Sequence, residues 1–102
     1  MKTDKFLSML GLCRRAGKVV IGTPLVTSTL PSGKVKMVYY TSDASENTKK
    51  RITDKCKFYN TDCIMLEITG DEVGKMVGMN TPVCVIGVTD DNFSKQLNTL
   101  IQ

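Results

Sequence analysis

No histidine occurs in the 102-residue chain. That single absence removes the commonest general base and the commonest metal ligand. The four cysteines, Cys13, Cys56, Cys63 and Cys84, form no C-x-x-C pair, and without histidine they complete no zinc pattern. Each lies in an apolar stretch, as expected of buried thiols kept reduced in a reducing compartment. No apolar run approaches the ~20 residues that a membrane span needs. The opening MKTDKFLSML is too charged for a secretory signal. The expectation is a cytoplasmic protein with no membrane, metal or cofactor.

Nucleotide loops are missing as well. GLCRRAGKV, from Gly11, has five residues between its glycines where a phosphate loop has four, and Val19 stands where Ser or Thr would follow the lysine. GDEVGKM, from Gly70, is too short, with Met76 after its lysine. No G-x-G-x-x-G is present. Asp90-Asp91 resembles the acidic pair of a phospho-receiver, but such a pair follows the first strand and this one follows the last apolar run; a loop-and-cap role suits it better. An enzyme is therefore the weakest functional class for this chain.

What is present is the composition of one globular domain over residues 1–102: 41% apolar, 24% charged, with a formal charge of +4. The mild basicity permits, without requiring, contact with a sugar–phosphate chain.

The apolar spacing predicts a helix over residues 4–16, capped by Thr3 and closed by Gly17, then a strand over 18–21 ending at Gly22. Thr23-Pro24 reads as an N-cap followed by the first helical position of a short helix that stops near Pro31. Residues 35–40 form an apolar strand with almost no alternation, as in a strand buried on both faces. Asp43 and Glu46 have capping-box spacing for a helix whose stripe is Thr48, Ile52, Cys56 and Tyr59, with Lys49, Lys50 and Arg51 away from it. A strand over 63–68, a helix capped by Thr69 and Glu72, a strand over 83–88 and a final helix around Phe93, Leu97, Leu100 and Ile101 complete the order. Such alternation predicts an α/β fold: a three-layer α/β/α sandwich on a small, four-stranded mixed sheet.

Three segments rich in small polar groups and cations stand at strand ends and helix starts: residues 18–23, 42–50 and 89–93. If they meet on one side of the sheet, they offer helix N-termini and cations to phosphates. Thr23, Ser45, Asn47 and Thr89 could then reach sugars or base edges. A bland reading stands beside this one: Lys49-Lys50-Arg51 as a solvated helix face, and Thr23, Asp43 and Asp90 as caps.

LGLCRRAGKVVIG, YYTSDASENTKKRITDKC and VCVIGVTDDNFSKQL together resemble the ribosomal kink-turn-binding protein family, in particular its bacterial YlxQ-like branch, over nearly the whole chain. The resemblance implies an α/β/α sandwich without catalytic activity that binds structured RNA at the junction after the first strand. It places that junction at residues 21–25, with close backbone approach at Gly22. It implies RNA contacts from Lys18, Gly22, Thr23, Asn47, Lys49, Lys50, Arg51 and Thr89, and a monomer associated with the ribosome or translation. Where the family usually carries a polar pair after the Gly-Thr step, this chain has Pro24 and Leu25, and it has Ser28 in place of a lysine. Proline has no N–H and leucine no polar group for a guanine edge. The expected target is therefore bent or looped RNA held through backbone and phosphates. The alternative is a protein-interaction module that docks through the Pro24-Leu25 surface.

Overall fold

The computed structural model describes residues 2–101. Its elements are α1 (Lys2–Arg15), β1 (Val19–Ile21), α2 (Thr23–Thr29) running into a 3₁₀ turn at Leu30–Ser32, β2 (Met37–Thr41), α3 (Glu46–Phe58), β3 (Asp62–Leu66), α4 (Gly70–Met76), β4 (Val85–Val88) and α5 (Asp91–Ile101).

Phe6, Leu10 and Cys13 recur at helical spacing and are fully buried, which explains why α1 forms and which face it buries. Thr3 lies inside this helix rather than capping it. At the far end Gly17 takes a left-handed φ of 72°. The Lys18 N–H reaches the Cys13 carbonyl at 2.9 Å, and the Gly17 N–H reaches Arg14 at 3.0 Å. This pair of bonds satisfies carbonyls that the helix end would otherwise leave free. The same closure ends α3, where Asn60 takes the left-handed position (φ 58°) and Thr61 bonds back to Cys56 at 2.8 Å.

The strands lie in the order β1-β4-β2-β3. β4 is antiparallel to both β1 and β2, and β3 is parallel to β2. The sheet is mixed, as expected. β2 lies inside it and is almost wholly buried, which accounts for its unbroken apolar run. Alternate residues serve opposite faces. Met37 and Tyr39 join Phe6, Leu10, Val73 and Leu97 beneath α1, α4 and α5. Val38 joins Val26, Ile52, Cys56 and Val85 beneath α2 and α3. Two cores on one sheet make the three-layer sandwich. Truncating a side chain such as Leu10 to Ala at this depth costs about 2–5 kcal/mol. Phe6 meets Tyr39 edge-on at 5.2 Å, and the Tyr39 hydroxyl donates to Asn98 Oδ1, which gives a buried phenol its partner. Of the four thiols only Cys13 and Cys56 are fully buried; Cys63 and Cys84 are half-buried.

The register fixes which loops share an end of the sheet. At the Gly22 end, Ile21 pairs with Ile86, Tyr40 with Val85, and Thr41 with Leu66. At the opposite, Thr89 end, Val19 and Met37 both flank Val88, and Met37 pairs with Asp62.

Candidate nucleic-acid interface

At the Gly22 end the chain turns from β1 into α2 within one residue. Gly22 itself is the N-cap of α2, with φ 93° and ψ 150°. Residues with a Cβ essentially do not adopt that conformation, which is why glycine stands here. Its N–H bonds the Val85 carbonyl at 2.9 Å and its carbonyl accepts from Val26 N–H at 3.0 Å, so the turn is stitched to both strand and helix. Thr23 is thus the first residue of the helix and not its cap, with Pro24 behind it. Thr27 Oγ1 donates to the Thr23 carbonyl at 2.9 Å, and Thr29 Oγ1 to Leu25 at 2.7 Å. These hydroxyls are turned onto their own helix. Leu25, by contrast, is 55% exposed beside exposed Pro24.

α3 begins at the same end. Its cap is Ser45, whose Oγ accepts from Thr48 N–H at 3.2 Å and donates to Thr48 Oγ1 at 2.9 Å. The expected Asp43–Glu46 capping box does not form, and Ser45 is committed to the helix rather than free for a ligand. Asp43 reaches across instead and accepts from the Gly70 N–H at the start of α4, 3.0 Å to Oδ1. The buried Thr41 hydroxyl beside it completes no hydrogen bond of good geometry. Its polarity is still the largest influence and holds the Asp43 carboxyl below its ordinary value against the opposing desolvation, with the Gly70 N–H adding a lesser lowering effect. Thr69 caps α4 as its spacing predicts, with Oγ1 accepting from Glu72 N–H at 3.2 Å.

Asn47, Lys50 and Arg51 are exposed on the first turns of α3. Lys49 is partly covered, and its Nζ lies 3.6 Å from Glu46, whose side chain is 92% exposed. So open a pair is worth at most ~1 kcal/mol, and a phosphate can displace it. The end is not uniformly basic. Asp43, Glu46, Glu67, Asp71 and Glu72 stand at the same end as the three cations, so the α3 side is cationic and the α4 side acidic.

The three polar segments do not share one rim. Residues 18–23 span β1, and residues 89–93 follow β4 at its far end, where Thr89 N–H bonds the Lys18 carbonyl at 2.9 Å. Gly22, Thr23, Asn47, Lys49, Lys50 and Arg51 stand together at the Gly22 end; Lys18 and Thr89 stand at the other. The cause is the antiparallel setting of β4, which exchanges its two ends relative to a parallel strand. The segment that does join the Gly22 end is the approach to β4, which the sequence pattern did not single out. There Val83 N–H bonds Gly70 and Thr41 N–H bonds Cys84, each at 2.9 Å, with exposed Met79, Asn80, Thr81 and Pro82 leading in. Its turn-rich Asn-Thr-Pro was the one signal that could have marked it. Gly74 lets this segment close: a Cβ there would lie 2.5 Å from the Thr81 carbonyl oxygen.

Among the described residues no group of three His, Cys, Asp or Glu side chains could hold a metal ion. No helix of the described residues is long and apolar enough to cross a membrane. A groove of about 240 Å³ along the β3 edge is lined mainly by Phe6, Ile64, Leu66, Leu100 and Ile101, with Glu67 its one titratable side chain, so it pairs no acid with a base.

A mixed four-stranded sheet between two helical layers is a fold that known proteins share. The chain belongs to the ribosomal protein L7Ae/L30e/S12e/Gadd45 family, whose profile matches residues 4–98. It is 37% identical over 101 residues to the RNA-binding protein YlxQ of Bacillus subtilis, covering 99% of each chain. It is 35% identical over 95 residues to the large ribosomal subunit protein eL30 of Sulfolobus acidocaldarius, covering 93% of this chain and 91% of that one. A solved structure of a Bacillus halodurans protein of unknown function superposes with a TM-score of 0.87 at 36% identity, over 95% of this chain and 96% of that one. These named relatives are RNA-binding and ribosomal proteins rather than enzymes, in line with a non-catalytic family.

Proposed function

We propose that the chain is one RNA-binding domain, 1–102, that holds bent or looped structured RNA at its Gly22 end. The observation that carries this reading is the pairing of Gly22 with the start of α3. A backbone with no Cβ lies open at φ 93°, and Lys49, Lys50 and Arg51 stand at the same end of the sheet. The names of its relatives support it. The backbone at Gly22 and Thr23 approaches the RNA, Asn47 reaches sugar or base edges, and the three cations meet phosphates. Pro24 and Leu25 supply no hydrogen bond to a base edge, so recognition is by shape, and a kink-turn is one member of the target class rather than its definition. The protein works as a cytoplasmic monomer associated with the ribosome or translation.

Lys49→Glu/Lys50→Glu tests this on a bulged RNA hairpin. Reversing two phosphate-facing cations weakens binding by on the order of a hundredfold at low salt, and the wild-type affinity falls linearly with log salt. Unchanged affinity in the double variant removes the assignment. The exposed Leu25 supports a second reading, protein docking at the same end. That reading requires salt-insensitive association with a protein and no RNA shift.

A further inference from the structure

The Thr89 end is the more basic of the two. Arg14 and Arg15 close α1 there, and Lys18 follows at once through the Gly17 turn. Lys18 gives its carbonyl to Thr89 N–H, while the Lys36 N–H takes the Val88 carbonyl at 2.8 Å from the other side. Lys18 and Lys36 therefore flank the end of β4, and Lys34 lies two residues before Lys36. All five cations are exposed, and none is held in an ion pair among the described residues. The acids at this end are Asp62, Asp90 and Asp91, and Asp90 accepts from the Phe93 N–H at 2.9 Å as the cap of α5. With Lys55 and Lys57 in the last turn of α3, seven cations stand against three acids here, in contrast with three against five at the Gly22 end. The same end carries Phe58, at the last turn of α3, with 78% of its surface exposed. Tyr59 meets that ring edge-on at 4.8 Å and 79°, which holds the ring without stacking over it. Unpaired cations with a free aromatic ring are the chemistry that binds single-stranded nucleic acid, by phosphate contact and base stacking.

We infer that the Thr89 end is a second RNA-contacting surface, taking a single-stranded segment through Arg14, Arg15, Lys18, Lys34 and Lys36, with Phe58 as a stacking platform. Strands of three to five residues separate it from the Gly22 end, roughly 10–17 Å of sheet. The molecule measures 33 × 28 × 25 Å, so the two surfaces face different RNA segments and the protein bridges them. This extends the RNA-binding reading without requiring the Gly22 end to be its partner surface.

The test uses the full chain, an immobilised bulged hairpin and a fluorescent oligouridylate, with direct anisotropy of the oligouridylate as a second readout. Wild-type protein on the hairpin captures the oligouridylate. Lys18→Ala/Lys34→Ala/Lys36→Ala keeps the hairpin, binds the oligouridylate about tenfold or more weakly, and lowers the salt slope by about one for each phosphate-binding lysine removed. Phe58→Ala costs about tenfold by removing the stacking ring. The matching Lys→Arg triple variant keeps the charge and retains binding. The inference is overturned if wild type binds no oligouridylate, if the alanine variant binds it as wild type does, if the arginine variant binds it as weakly as the alanine variant does, or if Lys49→Glu/Lys50→Glu abolishes binding of both RNAs. Wild type that binds oligouridylate but not the hairpin supports the second surface and sinks the Gly22-end reading alone.

Discussion

The two ends of the sheet hold cations in different ways. At the Gly22 end they are few and hemmed by acids, but the backbone is held by a dense set of bonds: Gly22 to Val85, Thr41 to Cys84, Asp43 to Gly70 and Val83 to Gly70. At the Thr89 end the cations outnumber the acids and stand outside ion pairs among the described residues, with Lys36 Nζ donating only to the Gly33 carbonyl at 3.2 Å. Net charge alone would choose the Thr89 end as the only RNA surface. The geometry of a glycine-hinged junction chooses the other. Shape and charge are thus separable in this fold, and each can be disturbed without the other.

The largest stability contrast comes from the hinge. Gly22→Ala forces a Cβ onto a φ of 93° and lowers stability by about 1–3 kcal/mol. An exposed change at the Thr89 end, Lys34→Ala, stays within about 0.5 kcal/mol. Thermal unfolding of the two variants measures the difference, and equal melting would erase it. A smaller effect distinguishes the ends of α3. Ser45→Ala removes the cap at the Gly22 end and costs about 1 kcal/mol. Asn60→Gly, at the left-handed position of the other end, raises stability by on the order of 0.5 kcal/mol. Denaturant titration reads both signs.

The two ends also respond to opposite extremes of pH. Asp43 is more acidic in the fold than its ordinary value of 3.8, so its contribution is present above that pH and is lost as pH falls through and below it. Cys13 is pushed up from 9.0 to about 11, first by burial and then by the Asp90 charge. Its thiol favours the fold below pH 9 and ceases to do so as pH rises toward 11. Stability measured against pH should show Asp43→Asn flattening the acid limb and Cys13→Ala reducing the alkaline limb without removing it, because burial raises Tyr39 and Tyr40 as well. A variant that alters both limbs would show that the ends are coupled.

Much of the fold was legible because burial leaves a periodic trace. The Phe6-Leu10-Cys13 and Ile52-Cys56 stripes gave the helices their faces, and the unbroken run ending at Tyr40 gave β2 its inner place. Strand direction leaves no such trace. Residues 83–88 read the same for a parallel or an antiparallel strand, so the loops on either side of β4 could not be assigned to an end. Caps misled in a related way. Thr23, Asp43 and Ser45 all suit an N-cap by residue type, and only the folded backbone shows that Gly22 and Ser45 take the cap positions while Asp43 crosses to α4. Among the candidate contacts, the cationic start of α3 was legible from Lys49-Lys50-Arg51. The segment from Met79 to Pro82 was not, because its place depends on that same strand direction.

β4 lies between β1 and β2, yet it is made after the other three strands of the sheet. Until residues 85–88 emerge during synthesis, β1 has no neighbour to bond and the sheet is cut in two. The nascent chain must therefore wait for β4 before either core can close, and a chain released short of β4 would present two open strand edges to its surroundings.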